Sequence, residues 1–363
     1  MKIVFLCISL FYFLLLSCSE KKQSDLLEIP IDINQNSGIP LSEIAEEITA
    51  IELELTDASM FNPDHVQGIS ISGNKVFIVT LYKILVFNKA GKYICAIGSR
   101  GQGPGEYVGI RNIAVDEKSK RLFINTGRKI ITYDFNGFFL NETVSSVGLI
   151  STMNYINEKL LFIADEMDYD SDSKQVYSRA ILYQLNDNLQ LIDSCTIRNL
   201  YVESSSGTPI YWGDDFLLKG SKSVYLYYGD FFWRKNLEEK VLRDTLYQFE
   251  KNHLIPDLKL KFKNEGKFIH LYNIYRSSRY IFAVYNYENH TCFFCYDTKT
   301  GKGYNIKTQD GNGYIDDINQ IEKRIRVRPF SLDTEMFYYL HTHIDPDDLE
   351  EPNPTLYIGT FKK

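Results

Sequence analysis

A chain of 363 residues with 44% hydrophobic and 24% charged residues has the composition of a folded, water-soluble body. It is long enough for one large all-β domain or two ordinary ones. Its formal net charge of −7 lacks the broad basic face that neutralises phosphates, so no nucleic acid is expected as a partner. The 26 Tyr and 23 Phe supply most of the 14% aromatic content. Such side chains fit pleated, half-buried surfaces and point to strand.

Met1 and Lys2 precede an apolar run, Ile3 to Leu16, short for a bilayer span but of the length of a signal-peptide core. The run ends in Leu15-Leu16-Ser17-Cys18, which resembles the bacterial lipobox, and that resemblance makes Cys18 the lipidated first mature residue. Residues 1–17 would then be removed with Lys2, leaving 39 basic against 47 acidic residues, a formal −8. Residues 18–46 are assigned to a polar tether leading from the membrane anchor, and 47–363 to the folded body. Ser19 after the cysteine, in place of a retention aspartate, points to the outer membrane, with the periplasmic or surface side left open.

Ile48 to Leu55 alternates apolar and polar residues, the pattern of a half-buried strand. It has no partner nearby, and pairing with the last blade of a ring would close the ring from the other end of the chain and remove two free edges. Gly73 to Asn136 then states a repeat twice. Gly73 to Thr80, Lys83 to Asn88 and Ala90 to Ile94 are answered by Lys120 to Asn125, Arg128 to Asp134 and Asn136 to Phe139. A repeat of this length made only of strands is that of a propeller blade. Further blades are expected over 149–197, with an acidic, loop-like insert at 165–174, over an irregular 209–262, over 268–306 and over 314–361. The expectation is an all-β, six-bladed β-propeller of four-stranded antiparallel blades, closed by an N-terminal strand.

Between the first two repeats lies Ile97-Gly-Ser-Arg-Gly-Gln-Gly-Pro-Gly-Glu-Tyr107. With Ile84 to Lys92, Arg243 to Phe249 and Asn353 to Gly359, it resembles the inter-blade signature of six-bladed propeller lipoproteins of Bacteroides-like bacteria, relatives of NHL-repeat propellers. The resemblance covers nearly everything from Ile48 onward and speaks for fold more than for activity. The bridge leads into a strand and lacks the Gly-Lys-Ser/Thr that opens a helix in a phosphate loop, so its glycines serve conformation.

Several side chains are candidates for a site. Trp212, Tyr228, Phe232 and Trp233 concentrate in the irregular blade and would make a stacking platform for a glycan or peptide, or would fill the wedge between blades. Lys323 to Arg328 alternates charge with apolar residues, placing Arg324, Arg326 and Arg328 on one face to bind carboxylate or phosphate, or on a solvated outer face. His341 and His343 sit at i and i+2, able to share a zinc. Cys292 and Cys295 have metal or redox spacing, but three apart on a strand they face opposite sides; like Cys95 and Cys195 they are read as free thiols.

No Gly-x-Ser-x-Gly elbow, His-Glu-x-x-His or paired-carboxylate motif marks an enzyme. The reading is an envelope-anchored binding module, expected as a monomer, whose ligand is a glycan, a peptide or a partner protein. The alternative is a calcium-dependent lactonase or hydrolase with metal in the central channel, held by Asn112, Asn154 and Asp316.

Overall fold

The structure, a computed structural model, describes residues 26–172, 175–203, 217–220, 223–229, 244–263, 269–309, 311–330, 333–342 and 352–363. Blade one is Val66–Ser72, Lys75–Thr80, Ile84–Asn88 and Tyr93–Ala96, paired in that order and antiparallel. Blades two (112–144), three (149–203) and five (270–308) repeat the same four-stranded meander. Blade four runs over 217–262 and carries a fifth strand, Leu27–Ile31, along its outer edge. Blade six is small, Tyr314–Asp316 and Ile321–Ile325 with Ile39–Pro40. Blade seven joins Arg328–Phe330, Asp333–His341 and Thr355–Phe361 to the N-terminal strand Ala45–Glu52.

Apolar clusters lie between neighbouring blades all the way round. Leu160, Phe162 and Ala164 pack against blade two, while Leu161 and Ile163 pack against blade four. Successive strand side chains point to opposite faces, so a strand with a blade on each side is apolar throughout. That is why Lys159 to Ala164 reads as an unbroken apolar run. The aromatic excess fills these wedges: Tyr107, Tyr285, Tyr339, Phe77, Phe123 and Phe293 are among the largest fully buried side chains.

The turn between the third and fourth strands of a blade is built alike four times. The Asn88 side-chain oxygen accepts from the N–H groups of Ala90 and Lys92, both at 2.9 Å. Asp134 accepts from Asn136 and Phe138, both at 2.8 Å, and Asn186 from Asn188 and Gln190, both at 3.0 Å. Asp297 accepts from Lys299 at 2.9 Å. Each turn then needs a left-handed residue, supplied by Gly91 (φ 81°), Gly137 (φ 86°), Leu189 (φ 59°) and Gly301 (φ 71°). Any Cβ at Gly91 would also run into the Glu52 carbonyl oxygen at the ring's seam.

The glycine bridge has the conformational role expected of it. Ser99–Arg100 pairs in parallel with Glu106–Tyr107, and Gly98 and Gly105 take φ of 69° and 75°. The Gly103 and Gly105 N–H groups donate to the carboxylates of Glu106 and Glu142, at 2.8 and 2.9 Å. The Tyr107 hydroxyl donates to the Ile97 carbonyl at 2.7 Å.

The ring closes as the orphan strand suggested, with Ala50 opposite Tyr357 in an antiparallel pair. Four expectations are corrected. The blades number seven, not six: the strand pattern of 314–361 divides at Ile325, and residues 314–325 take their third strand from Ile39–Pro40 to make blade six. The tether does not extend to residue 46. Residues 27–44 form a strap whose Ile29, Ile31, Ile33, Ile39, Leu41 and Ile44 are all buried. The strap adds a parallel strand to blade four, bonds to blade five through Ser37 N–H to Asn305 O at 2.7 Å, and then reaches blade six. Pro30 is tolerated because an edge strand can spare an N–H. The acidic insert of blade three is a hairpin extension rather than a loop, with strands reaching Asp170 and resuming at Gln175. Finally, Lys323 to Arg328 is not one strand but the passage from blade six to blade seven.

Candidate functional site

The passage from blade six to blade seven forms one wall of a polar cavity. Ile321, Ile325 and Val327 are buried in the cluster shared by blades five, six and seven. Burying these odd-numbered positions turns Arg324 and Arg326 outward, exposed, with Arg328 half-buried beside them. The resulting cavity, about 680 Å³, is lined by Lys323, Arg324, Arg326 and Arg328, by Tyr338, Tyr339 and His341 of blade seven, and by Asp64 and Val66 at the entry to blade one. An Arg328 guanidinium nitrogen lies 3.4 Å from the Val66 carbonyl oxygen and donates to it, tying the last blade to the first. Four of the residues singled out in the sequence, Arg324, Arg326, Arg328 and His341, are thus brought to one place. His343, the second member of the histidine pair, lies outside the described residues.

Beneath this cavity sits Asp316, 1% exposed. Its carboxylate accepts from the Tyr339 hydroxyl at 2.5 Å and from the Asn319 side chain at 3.0 Å. Burial, reinforced by the Asp316 carboxylate, pushes the Tyr339 hydroxyl well above its ordinary pKa, so it stays a donor. Asp316 is therefore a satisfied buried acceptor of blade six.

Asn112 and Asn154 are elsewhere, on the inner strands of blades two and three. The Asn112 amide donates to the Met153 carbonyl at 2.6 Å while its oxygen accepts from Asn125 at 2.9 Å. The Asn154 amide donates to the Leu217 carbonyl at 3.1 Å, and its oxygen accepts from the Tyr155 N–H at 2.9 Å. Each amide bridges its blade to the next. The hollow they share, about 30 Å³, has room for a water or two. Asn112, Asn154 and Asp316 do not converge, and the oxygens a calcium ion would need are committed to the fold. The residues do not fit the channel metal of the hydrolase alternative. Among the described residues, no group of three or more His, Cys, Asp or Glu is placed to hold a metal ion.

Tyr228 is not part of an open platform. It is 3% exposed in the wedge between blades three and four, its hydroxyl donates to Asp165 at 2.7 Å, and the Arg198 guanidinium lies over its ring at 5.1 Å. Arg198 also pairs with Asp165 at 3.1 Å, so the three make one buried knot across the wedge. Trp212, Phe232, Trp233 and the lipidation candidate Cys18 lie outside the described residues. Cys292 and Cys295 face opposite sides of blade five, in two different apolar clusters, and burial pushes the Cys295 thiol well up. Cys95 and Cys195 are half-buried and in no disulfide. Sequence reading missed Asp64 and Tyr338 as cavity neighbours, since nothing local shows that the start of blade one meets the end of the chain.

No curated protein matches the chain. Among solved structures, one described as an exported protein of Bacteroides fragilis superposes with a TM-score of 0.66 at 16% identity, covering 93% of this chain and all of that one, a likeness of fold. A Bacteroides caccae protein of unknown function and the WD40 domain of Neurospora crassa Pan2 both reach a TM-score of only 0.41 at 9% identity. They cover 78% and 82% of this chain, and 90% and 76% of their own. A domain-of-unknown-function family, DUF4934, matches residues 26–355, which takes in the strap, blades one to six, blade seven short of its Thr355–Phe361 strand, and the cavity. By the extent of that match, the chain belongs to the DUF4934 family.

Proposed function

We propose that the protein is a binding module of the bacterial cell envelope, anchored through Cys18. The observation that carries the binding half is the cavity at the seam of blades six, seven and one, whose walls come from three blades and whose size suits a small ligand. Its polar side chains come from strands and connections of three blades. The envelope half rests on the apolar run ending in Leu15-Leu16-Ser17-Cys18, on the likeness to lipoprotein propellers, and on the fold shared with a protein described as exported. The ligand classes in view are a glycan, a peptide or a partner protein.

A thermal-shift panel of envelope oligosaccharides, peptides and small anions against the mature chain tests this. At least one class should raise the melting temperature in a dose-dependent way. Cys18→Ser should move the chain from the membrane to the soluble fraction. A flat panel removes the binding reading, and a Cys18→Ser chain that stays in the membrane removes the anchor.

A further inference from the structure

We propose that the outer rim of blades three and four lies against the lipid bilayer, with Leu27, Leu191, Ile192 and Ile255 making the contact. This rests on the Cys18 anchor and says how the anchored body sits. Eight residues, Ser19 to Leu26, separate Cys18 from Leu27. A chain of that length reaches at most about 30 Å, whereas a tether running to residue 46 would reach about 95 Å. The strap sets the difference. Leu27–Ile31 pairs in parallel with Leu258–Phe262, and Ile29 and Ile31 are buried in the cluster between blades four and five. More chain is let out only by breaking that core. A body of this size is about 50 Å across, so the shorter reach cannot bring the opposite side of the ring to the membrane.

The rim held close in this way presents large apolar side chains. Leu191 and Ile192, on the outer strand of blade three, are 61% and 49% exposed. Ile255 and Leu27, on the outer strands of blade four, are 41% and 39% exposed. The Asn252 side-chain amide donates to the Ser194 carbonyl at 3.2 Å, which joins the two outer edges two residues from Ile192 and three from Ile255. Apolar area removed from water at a bilayer is worth about 25 cal/mol per Å², and these side chains reach it without rearrangement of the fold. The charged residues in the hollow between the same two blades have both signs, Lys251 with Glu250 and Asp193. The contact is therefore assigned to the apolar side chains, and salt should leave it unchanged.

Hydrogen–deuterium exchange of the lipidated mature chain on vesicles of phosphatidylethanolamine and phosphatidylglycerol, set beside the soluble Cys18→Ser chain, tests the assignment. Residues 191–194 and 251–256 should exchange at least about threefold more slowly on the vesicle, at low and high salt alike. Phe139–Val144, the outer strand of blade two, also exposes Phe139, Leu140 and Val144 and should exchange equally in both. Ile192→Ser/Ile255→Ser should stay on the vesicle and melt as wild type does, since both side chains are exposed, but lose the protection; Ile255→Ser alone serves if the double variant does not fold. Equal exchange of 191–194 and 251–256 on the vesicle and in solution overturns the proposal while leaving the anchor standing. Protection of 139–144 in their place does the same, as does undiminished protection in the variant. A wild-type chain that does not attach to membranes removes the anchor, and the rim contact with it.

Discussion

Asp297 shows how single residues hold this fold. Its carboxylate receives the Arg279 guanidinium through two bonds, Nε to Oδ1 at 2.9 Å and Nη2 to Oδ2 at 2.6 Å, while Oδ1 also accepts from the Lys299 N–H that shapes the turn. The Arg279 hydrogen bonds, outweighing burial, hold the Asp297 carboxyl well below the usual carboxylate range. A folded pKa below the unfolded one contributes stability that is fully present above the unfolded value and is lost as pH falls towards the folded one. Asp297→Asn should therefore cost about 1–3 kcal/mol at neutral pH. The gap between the urea midpoints of wild type and variant should narrow below about pH 4, where an unfolded aspartate titrates. Equal stability at neutral pH would contradict the role given to the pair. The turn itself was legible, because Thr300-Gly301 follows a strand. The partner was not, because Arg279 lies in the turn before the neighbouring strand, Tyr280–Tyr287, and nothing in its own surroundings marks it. Tyr228 failed for a related reason: an aromatic with a hydroxyl suits a ligand platform and a blade wedge equally, and only Asp165 and Arg198 in the next blade decide between them.

At the scale of elements, the strap is the main lesson. Leu27 to Ile33 alternates in the manner of a strand, yet its polar members and Pro30 make it read as a leader to the folded body. Its partner strand lies far along the chain, with Leu27 opposite Leu258, and parallel pairing leaves no turn between the two to read. The two-residue strand Ile39–Pro40 is too short to show any period. Ile31 is fully buried between blades four and five. Ile31→Ala should accordingly lower the unfolding free energy by about 2–5 kcal/mol in denaturant melts. A tether would tolerate the change, so an unchanged midpoint would return residues 27–44 to that role. The long blade-three hairpin was likewise hidden, since acidic residues at a hairpin tip look the same as those of a loop.

At the scale of the whole molecule, the repeat announced a ring and its closure but not its count. Blade boundaries came through where each blade is a meander of consecutive strands, as in 66–96, 112–144 and 270–308. The count failed where a blade borrows a strand from the far end of the chain, because blade six owns only two strands in sequence. The candidate site was half legible for the same reason. The charge alternation at Lys323 to Arg328 marked one wall, while the walls from blades seven and one meet it only after the ring has closed. Closure of the ring thus also builds the cavity. Ala45–Glu52 seals blade seven, and Ile51 and Leu53 share an apolar cluster with Val66, Ile69 and Val76 of blade one and with Tyr338 and Leu356 of blade seven.

Hydrogen–deuterium exchange on Ile51→Asp, which puts a charge into that seam, tests the closed ring most directly. The account predicts faster exchange in blade one (66–96) and in the 333–341 and 355–361 strands of blade seven together, with weaker binding at the seam cavity. Faster exchange confined to 45–52, with both neighbouring blades protected as in wild type, would contradict it.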